Sequence, residues 1–349
     1  MRPRADKGGT IKVISRNVAL LVYALQSPGR IPRHAISAAD DDSILQATWR
    51  LTLDGVIEVE RDGAFVSGAD ALGAVVEITP RGAGSRLSHE ALRFAARLVC
   101  DDARETERRL YLFNRRPISA RWAARLRSPD DILQYVGASD GSPTASLLGR
   151  HWSAQSVQPG DPWLHWRPRR ETSGGMRDKG DVTFKLYLCP GLEELPAAFP
   201  IIVDSLAHSM EAPPPFKIGA NVAGVLRPDR IVAYFARRDA AEAMAEDIAR
   251  ALGEMTSQPV PFTHEMDERG LVSLGIDPPA GRAIRAQEGS WRRWICRRLA
   301  THLHAAPESV SHMEADRFAL ARIALEGVDP ATWEPSAEAV RGFSAGAPT

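Results

Sequence analysis

The sequence predicts an α+β fold, and three observations lead to this prediction. Two helix-like segments precede a short hairpin pattern near the N-terminus. Helical spacing of apolar residues then dominates residues 86–136, and strand and helix patterns alternate over residues 181–310. A chain of 349 residues is long enough for two or three domains. We therefore expect an N-terminal winged-helix-like module (1–80), a helical connector (81–140), a mixed α+β domain (141–312) and a C-terminal tail (313–349).

The winged-helix prediction for the N-terminal module follows from the order of its elements. Residues 11–25 carry apolar side chains at helical spacing, and a second helix begins at the aspartates Asp40–Asp42. Acidic residues favour a helix start, and Gly55 is typical of a helix end. The next segment, VIEVERDGAFVSG, predicts a hairpin that turns at Arg61-Asp62-Gly63. Helices followed by a two-stranded wing are typical of a winged helix-turn-helix.

The balanced charge of this module argues against DNA binding as its role. Winged helices commonly bind DNA, and a DNA-reading helix normally presents a basic stripe. Residues 1–75 contain nine basic and nine acidic residues, and the second helix opens with aspartates. The module can instead bind a peptide strand against its hairpin edge, or serve as a structural domain. All three interpretations stay open, and DNA binding is the least favoured of them.

The composition excludes several classes of protein. With 44 basic and 44 acidic residues the net charge is zero, so no global field recruits nucleic acid or an anionic membrane. The three cysteines lie far apart without a CxxC motif, which argues against a zinc site and a disulfide framework. We expect no metal and no cofactor. The N-terminus lacks an apolar signal core and no segment is long enough to span a bilayer, so we expect a cytoplasmic protein.

Strand and helix patterns give the α+β domain its expected order. Residues Thr183–Leu188 predict a strand with Lys185 and Tyr187 on one face. A helix follows up to Met210, and residues 239–252 predict an amphipathic helix. The remaining predicted elements are strands at FKIG, RIVAYFA, VPFTHEM and LVSLGIDPP and a late helix at SWRRWICRRLATHLH.

Lysine is rare in this chain, which makes its positions informative. The basic residues are 39 Arg and only 5 Lys, and two lysines, Lys185 and Lys217, follow a phenylalanine at the start of a predicted strand. Arginine keeps its proton at any useful pH, whereas a lysine can lose its proton when burial or a cationic neighbour favours the neutral amine. Both lysines are therefore candidate bases or nucleophiles. Alternatively, they only guard strand edges against aggregation.

Arginines are dense around these lysines and suggest a site for an oxyanion. Guanidinium groups bind phosphate or carboxylate bidentately. Arg227 and Arg230 lie on the predicted hairpin that carries Lys217, and they are the first candidates for phosphate. Further candidates are Arg167, Arg169 and Arg292. The alternative is that such arginines coat a solvated surface.

Two histidines are candidate general acids. His151 and His165 lie beside tryptophans and lead into a basic loop. A histidine beside an arginine-rich pocket can protonate a leaving group. More often such a histidine has a structural role. No P-loop or GxGxxG motif is present, which disfavours the commonest nucleotide-binding classes.

Several short motifs over residues 181–310 together resemble a known family. They are KLYL, FK at Phe216-Lys217, RPDRIVAYF, VPFTHEM, GIDPP and SWRRWICRRLA. Their order and spacing resemble the HopA-type effector family, which includes type III effectors and HopA-like lyases of ribosomal peptide biosynthesis of the lanthipeptide type. The chain departs from that pattern at Ser290-Trp291-Arg292, where a Ser-Phe-Gly-like turn is expected.

The resemblance implies a lyase that eliminates phosphate from phosphoserine or phosphothreonine in a precursor peptide. It implies Lys217, or else Lys185, as the base, arginines on the phosphate and a histidine or another acid on the leaving group. A kinase-like partner protein would supply the phosphorylated residues, and the winged helix would grip the precursor. The rival hypotheses are a non-catalytic peptide-binding partner in a peptide-modifying complex and, less favoured, a DNA-binding regulator.

Overall fold

A computed structural model describes residues 14–37, 42–72, 79–98, 102–155, 161–169, 183–209, 212–277, 290–306 and 312–336. These residues form helices and two sheets, in agreement with the α+β prediction. Contacts within the chain define two compact units. The first contains residues 1–78 and 302–326, and the second contains residues 79–301 and 327–349. In the described ranges, no helix is both long and apolar enough to cross a membrane.

The first unit combines short helices with a three-stranded sheet. Its helices before residue 79 are Arg16–Ala24, Arg33–Ser37 and Asp42–Leu53, and its strands are β1 (Gly29–Ile31), β2 (Ile57–Arg61) and β3 (Ala64–Val66). Strand β1 pairs in parallel with β2, and β2 pairs antiparallel with β3. The hairpin between β2 and β3 is confirmed, and its turn residues Asp62 and Gly63 have φ values of 49° and 82°. Positive φ at both positions is typical of a tight two-residue hairpin turn.

The expected C-terminal tail contains a helix, His312–Leu325, so the prediction of a tail from residue 313 is corrected. Its residues Phe318 and Leu325 are buried in a cluster with Leu53 and Leu72 of the first unit. Apolar residues at helical spacing thus continue beyond the late helix SWRRWICRRLATHLH. Their burial stabilises the helix His312–Leu325. Residues 337–349 lie outside the described part of the chain.

Helices occupy much of the expected connector. They are Gly82–Arg97, Ala103–Leu112, Ala120–Arg125 and Pro129–Tyr135, and a further helix, Pro143–His151, lies at the start of the expected α+β domain. The helix at Pro129 begins with a capping box, in which Ser128 and Asp131 satisfy each other's backbone N–H groups. Such reciprocal capping pairs donors that otherwise lack partners at a helix start.

The described strands of the second unit form a seven-stranded antiparallel sheet. In chain order they are β4 (Trp152–Ala154), β5 (Trp163–Pro168), β6 (Thr183–Leu188), β7 (Phe216–Gly219), β8 (Ile231–Phe235), β9 (His264–Glu265) and β10 (Val272–Asp277). In space their order is β4-β5-β7-β8-β6-β10-β9. Strand β8 therefore lies between β6 and β7, the two strands that carry the lysines. Of the predicted VPFTHEM strand, only β9 forms.

The main core lies on one face of this sheet. Side chains such as Leu186, Ile218 and Ala233 are 0% exposed there. They pack against the helices Leu195–Ala207 and Arg238–Leu252, which the sequence predicts at nearly these positions. Because side chains alternate between the two faces of a strand, the neighbours of these core residues point to the opposite face. The late helix Trp291–His304 is also found where it is predicted.

Candidate active site

Strand register places Lys185 and Lys217 on the same face of the sheet, opposite to the core. Lys217 of β7 pairs with Val232 of β8, and Lys185 of β6 pairs with Tyr234 of β8. Tyr187 also pairs with Val232, from the other side of β8. Directly opposed residues of an antiparallel pair point to one face, so the two lysines and two tyrosines share this face.

Both lysines line one cleft of about 220 Å³. Its described cationic side chains are Lys185, Lys217, Arg227 and Arg293. Its described aromatic side chains are Tyr111, Trp163, Tyr187 and Tyr234, and Asp229 contributes a carboxylate. Cations therefore outnumber carboxylates in the described lining, and the cleft favours an anion.

Aromatic rings hold the two ammonium groups. The Lys217 Nζ lies 4.0 Å from the centre of the Trp163 ring and 5.8 Å from that of Tyr234. The Lys185 Nζ lies 5.4 Å from the Tyr234 ring centre, and Lys185 is 7% exposed. Cations are attracted to the electron-rich faces of such rings. The Tyr234 ring therefore contacts both lysines and links them across β8.

Asp229 fixes Arg227 at the cleft. The Arg227 guanidinium donates from Nε to Asp229 Oδ1 at 2.8 Å and from Nη2 to Oδ2 at 2.7 Å. Arg292 approaches the same carboxylate, with Nη1 3.1 Å from Oδ2. Burial opposes ionisation of Asp229, but Arg292 and Arg227 outweigh it and hold the pKa of this carboxyl well below its usual range. Asp229 therefore stays charged and orients Arg227.

Tyr111 completes this polar cluster. Its hydroxyl accepts a hydrogen bond of 2.9 Å from Arg227 Nη2. The guanidinium of Arg292 lies 4.5 Å from the centre of the Tyr111 ring. Burial, together with the charge of Asp229, raises the pKa of Tyr111 above its ordinary value. The phenol is therefore neutral over the physiological range.

The turn from Lys217 to Arg227 depends on two glycines in close contact. A Cβ atom on Gly219 would lie 2.6 Å from the Val225 nitrogen, and one on Gly224 would lie 2.9 Å from the Gly219 Cα. Asn221 caps the short helix Val222–Val225 by accepting from the Gly224 N–H at 2.9 Å. Only glycine allows such an approach of two backbones, so this turn brings Arg227 back beside Lys217.

Gly275 of β10 leaves room for Tyr187. It pairs directly with Lys185, and a Cβ atom there would lie 3.0 Å from Tyr187 Cε2. The Tyr187 ring therefore occupies space above β10 that any other residue would fill. The sequence motif GIDPP contains this glycine, but spacing alone does not reveal its contact.

His165 is the predicted histidine that lies beside the lysines. It pairs with Lys217 in the register between β5 and β7, and its Nε2 lies 3.5 Å from Asp161 Oδ2. Burial and the nearby charge of Lys217 lower the pKa of His165, although Asp161 opposes them. The imidazole is therefore mainly neutral at pH 7. It flanks the described lining of the cleft without being part of it.

Two of the arginines predicted for phosphate are buried instead, and this assignment is corrected. Arg230 is 0% exposed and donates to the carbonyl oxygens of Arg227 and Pro190 and to the Gln258 side chain. Arg292 is 1% exposed and donates to the carbonyl oxygens of Pro261 and Tyr111. These contacts hold loops together and leave both guanidinium groups inside the protein.

The remaining predicted residues lie outside the described lining of the cleft. His151 ends the helix Pro143–His151. Arg169 donates from Nε to the Gly149 carbonyl at 2.7 Å and lines a different cavity. Arg167 is exposed on β5 and pairs with Ser153 across the strand. The roles predicted for these three residues remain predictions, and none of the three residues is part of the described lining of the cleft.

Sequence reasoning did not assign a role to Asp229, Trp163 or Tyr111. The motif RPDR carried a signal for Asp229, because a carboxylate between two arginines pairs with at least one of them. Nothing in the sequence connects Trp163 and Tyr111 to the lysines, because they come from other elements. Within the described residues, no group of three or more His, Cys, Asp or Glu side chains is placed to hold a metal ion.

No family model matches the chain, and no curated protein matches its sequence. Solved structures give low similarities. The effector protein from Pseudomonas syringae pv. tomato strain DC3000 is 10% identical, with a TM-score of 0.45 over 72% of this chain and 97% of that chain. The effector protein from Pseudomonas syringae pv. syringae strain 61 is 12% identical, with a TM-score of 0.42 over 72% of this chain and 98% of that chain.

A third similar structure is the type III effector/phosphothreonine lyase OspF from Shigella flexneri. It is 15% identical, with a TM-score of 0.31 over 56% of this chain and 99% of that chain. Similarity at this level carries no conclusion about activity. Membership of the HopA-type family stays a prediction, and these comparisons give no support to a link with lanthipeptide biosynthesis.

Proposed function

We propose that the protein is a lyase that eliminates phosphate from phosphoserine or phosphothreonine in a peptide. The observation that carries this proposal is the convergence of Lys185, Lys217 and Arg227 on one cleft. Elimination of phosphate needs a base for the α-proton, cations for the phosphate and an acid for the leaving oxygen. The cleft offers the first two directly and several groups for the third.

Lys217 is the proposed base. Its neutral amine takes the α-proton, the C–H electron pair forms the Cα=Cβ double bond, and the Cβ–O bond breaks. Phosphate leaves with that bond's electrons, and the peptide keeps a dehydroamino acid. Lys185 and Arg227 lie in the same cleft and favour the neutral form of this amine, and Asp229, which opposes them, is already paired with Arg227 and Arg292.

Arg227, Arg293 and Lys185 are the proposed phosphate ligands. Asp229 already orients Arg227, so little reorganisation is needed when charge develops on the leaving group. Arg293 lines the cleft from the helix Trp291–His304. Arg230 and Arg292 support this set from inside the protein and do not contact the phosphate.

The acid is proposed among groups on the cleft face of the sheet. His165 lies beside Lys217, but its lowered pKa makes the imidazole a weak source of protons at pH 7. Tyr187 and Tyr234 line the cleft itself and carry phenolic protons. A tyrosine is therefore an alternative acid to His165, and His151 is not part of this proposal.

The test uses synthetic peptides with phosphoserine or phosphothreonine and follows their mass. Elimination removes phosphoric acid and leaves an alkene that an added thiol captures, whereas hydrolysis returns the free hydroxyl. We expect elimination by the wild type and a large loss of rate in Lys217→Ala and Lys185→Ala. Arg169→Gln serves as a matched control, because Arg169 lies outside the described lining of the cleft and should leave the rate unchanged.

Two results would overturn the proposal. One is release of phosphate with return of the hydroxyl, which would define a phosphatase. The other is the absence of any mass loss with phosphorylated peptides, including one that a peptide kinase has modified in the same reaction. If both lysine variants still catalyse elimination, the assignment of the base is wrong, but the proposed reaction is correct.

The natural substrate is proposed to be a precursor peptide, and a kinase-like partner protein is proposed to phosphorylate it. The first unit is proposed to be a winged helix that grips this peptide. Its helices and hairpin follow the order expected for such a module, and β3 lies at the edge of its sheet. Phe65 of β3 is 39% exposed, so the edge offers an apolar side chain beside its backbone.

The same edge supports a second candidate function, a non-catalytic peptide-binding partner. A full-length Phe65→Ser variant tests it better than a deletion of residues 1–80, because the helix His312–Leu325 belongs to the same unit. If Phe65→Ser abolishes peptide binding while Lys217→Ala leaves every output intact, the non-catalytic function is correct. Loss of turnover in Lys217→Ala with binding retained would exclude it.

A further inference from the structure

A large cationic groove lies beside the cleft, between two helices of the second unit. It encloses about 920 Å³ and lies between the helices Ala103–Leu112 and Trp291–His304. Its described polar lining consists of Arg104, Glu107, Arg108 and Tyr111 from the first helix and Arg293, Arg297 and Thr301 from the second. These residues define the arginine groove.

The sequence spacing explains why these side chains face each other. Residues 104, 107, 108 and 111 follow the spacing of three and four that brings helical residues to one face. Residues 293, 297 and 301 do the same on the other helix. Two polar stripes therefore form the walls of the groove, and both are rich in arginine. A chain without net charge concentrates positive charge here.

The arginine groove holds more positive charge than its own carboxylate neutralises. Glu107 accepts from Arg293 Nε at 3.0 Å and from Arg297 Nε at 3.2 Å. One carboxylate therefore serves two guanidinium groups. Arg108 pairs with Glu105, which lies outside the described lining. Arg104 adds a further charge at the exposed start of the helix. The surplus favours an acidic ligand.

The arginine groove adjoins the cleft. Tyr111 and Arg293 line both, so a chain that places one residue in the cleft can extend into the groove. From Tyr111 to Arg104 the helix advances by about 10 Å. An extended peptide covers this distance with about three residues. The groove therefore matches a short segment on one side of the residue that reacts.

We propose that the arginine groove binds acidic side chains within about three residues of the phosphorylated residue, on one side of it. This inference rests on the proposed function, because it assumes that the phosphorylated residue occupies the cleft. It adds a substrate class, namely phosphopeptides with adjacent aspartate or glutamate. Glu107 inside the groove disfavours nucleic acid, whose backbone presents a continuous row of phosphates.

The test measures binding rather than turnover, with fluorescent peptides and the Lys217→Ala variant so that the substrate is not consumed. One phosphoserine peptide carries three glutamates before the phosphoserine, another carries them after it, and a third carries glutamines at all these positions. We expect one acidic peptide to bind about ten-fold more tightly than the glutamine peptide. A small number of charge pairs is enough to produce a difference of this size. The preference should weaken as salt is added.

Charge removal in the groove should abolish this preference. In Arg104→Gln/Arg108→Gln, the acidic and glutamine peptides should bind with nearly equal Kd. Arg250→Gln is the matched control, because Arg250 pairs with Asp247 at the same helical spacing as Arg108 with Glu105. Circular dichroism of each variant checks that the helices remain intact.

The outcomes separate this inference from the proposed function. Equal binding of acidic and glutamine peptides by the wild-type groove overturns the inference, even if elimination occurs. An arginine-dependent preference for acidic peptides supports it, even if no elimination is found. A single-stranded oligonucleotide serves as a competitor. If it displaces the acidic peptide at a lower concentration than unlabelled peptide does, the inference is overturned and the groove is a nucleic-acid site.

Discussion

The two faces of the seven-stranded sheet differ in character, although the same strands build both. On the covered face, Leu186 and Ile218 are 0% exposed and pack against helices. On the cleft face, their chain neighbours Lys185 and Lys217 line a cavity. One residue along the strand thus separates a core position from a site position. The contrast teaches that stability and chemistry can be altered here almost independently.

This arrangement also explains why the lysines are well positioned. Each lies between two residues whose side chains are buried on the covered face or at its rim, so the backbone beneath it is fixed by packing. Groups on rigid strands hold their geometry better than groups on loops. The cleft face therefore rests on the packing of the covered face and adds a smaller buried cluster of its own around Tyr187 and Val232.

A direct test of this division compares Lys217→Ala with Ile218→Ala. If Lys217 is the base, its removal should lower the rate of elimination by about 100- to 10,000-fold, with little change in the free energy of unfolding. Removal of Ile218 should instead cost about 2–5 kcal/mol of stability, with the residual folded protein still active. Single-turnover kinetics and urea denaturation measure the two effects separately.

Two controls accompany this pair. Leu186→Ala should resemble Ile218→Ala, because both side chains belong to the covered face. A Lys217→Arg variant keeps the charge but cannot supply a neutral amine, so it should be as inactive as Lys217→Ala. If Lys217→Arg is fully active, Lys217 acts as a cation and not as a base.

Asp229 is the residue that joins stability to function, so Asp229→Asn should affect both. The substitution leaves Arg292, which is 1% exposed, and Arg227 without their carboxylate. Breaking a buried ion pair in this way typically costs about 3–5 kcal/mol. The rate should fall as well, because Arg227 loses its orientation. Denaturation at several pH values and kinetics at pH 7 measure these changes.

The acid dependence of this effect follows from the lowered pKa of Asp229. A carboxyl with a lowered pKa contributes its full stability above the pKa of an unfolded aspartate, about 3.9. The contribution is lost as pH falls through the still lower pKa in the folded protein. The gap in stability between wild type and Asp229→Asn should therefore narrow below about pH 4. Asp239→Asn should show a much smaller gap, because Arg237 also lowers the pKa of Asp239 but solvent screens this exposed pair.

Gly275→Ala adds a methyl group to the cleft face at a position that has no side chain. The new Cβ atom would lie 3.0 Å from Tyr187 Cε2, so the ring must shift. Overpacking of this kind costs about 1–3 kcal/mol, and we expect a lower elimination rate because Tyr187 lines the cleft. Gly149→Ala is the control, because it has open space in a helix and should stabilise the protein. Equal effects of the two changes would contradict this role of Gly275.

The sequence allowed the prediction of each strand that carries a lysine, from the alternation in TFKLYL and from the segment FKIG after three prolines. It also allowed the prediction that Lys185 and Tyr187 share a face. It did not allow the prediction that β8 lies between β6 and β7, because strand order depends on contacts distant in sequence. The proximity of the two lysines follows from that order and was therefore beyond sequence reasoning.

The arginines show a second limit of such reasoning. Arg227 and Arg230 look equivalent in the motif RPDRIVAYF, yet one lines the cleft and the other is 0% exposed. Side-chain direction in a turn depends on which carbonyl groups and carboxylates are near, and these come from other elements. The helix His312–Leu325 was missed for a related reason, since its stability comes from burial against residues near the N-terminus.

The electrostatic difference between the faces gives the subtlest test, the titration of His165. Lys217 lowers the pKa of His165 and Asp161 raises it. Lys217→Met should therefore raise this pKa, and Asp161→Asn should lower it further. Nuclear magnetic resonance of labelled histidine rings measures both shifts. An unchanged pKa in Lys217→Met would mean that the two side chains do not share a face. A rise would show that cations of the cleft favour neutral forms of their neighbours, which is the condition a lysine base requires.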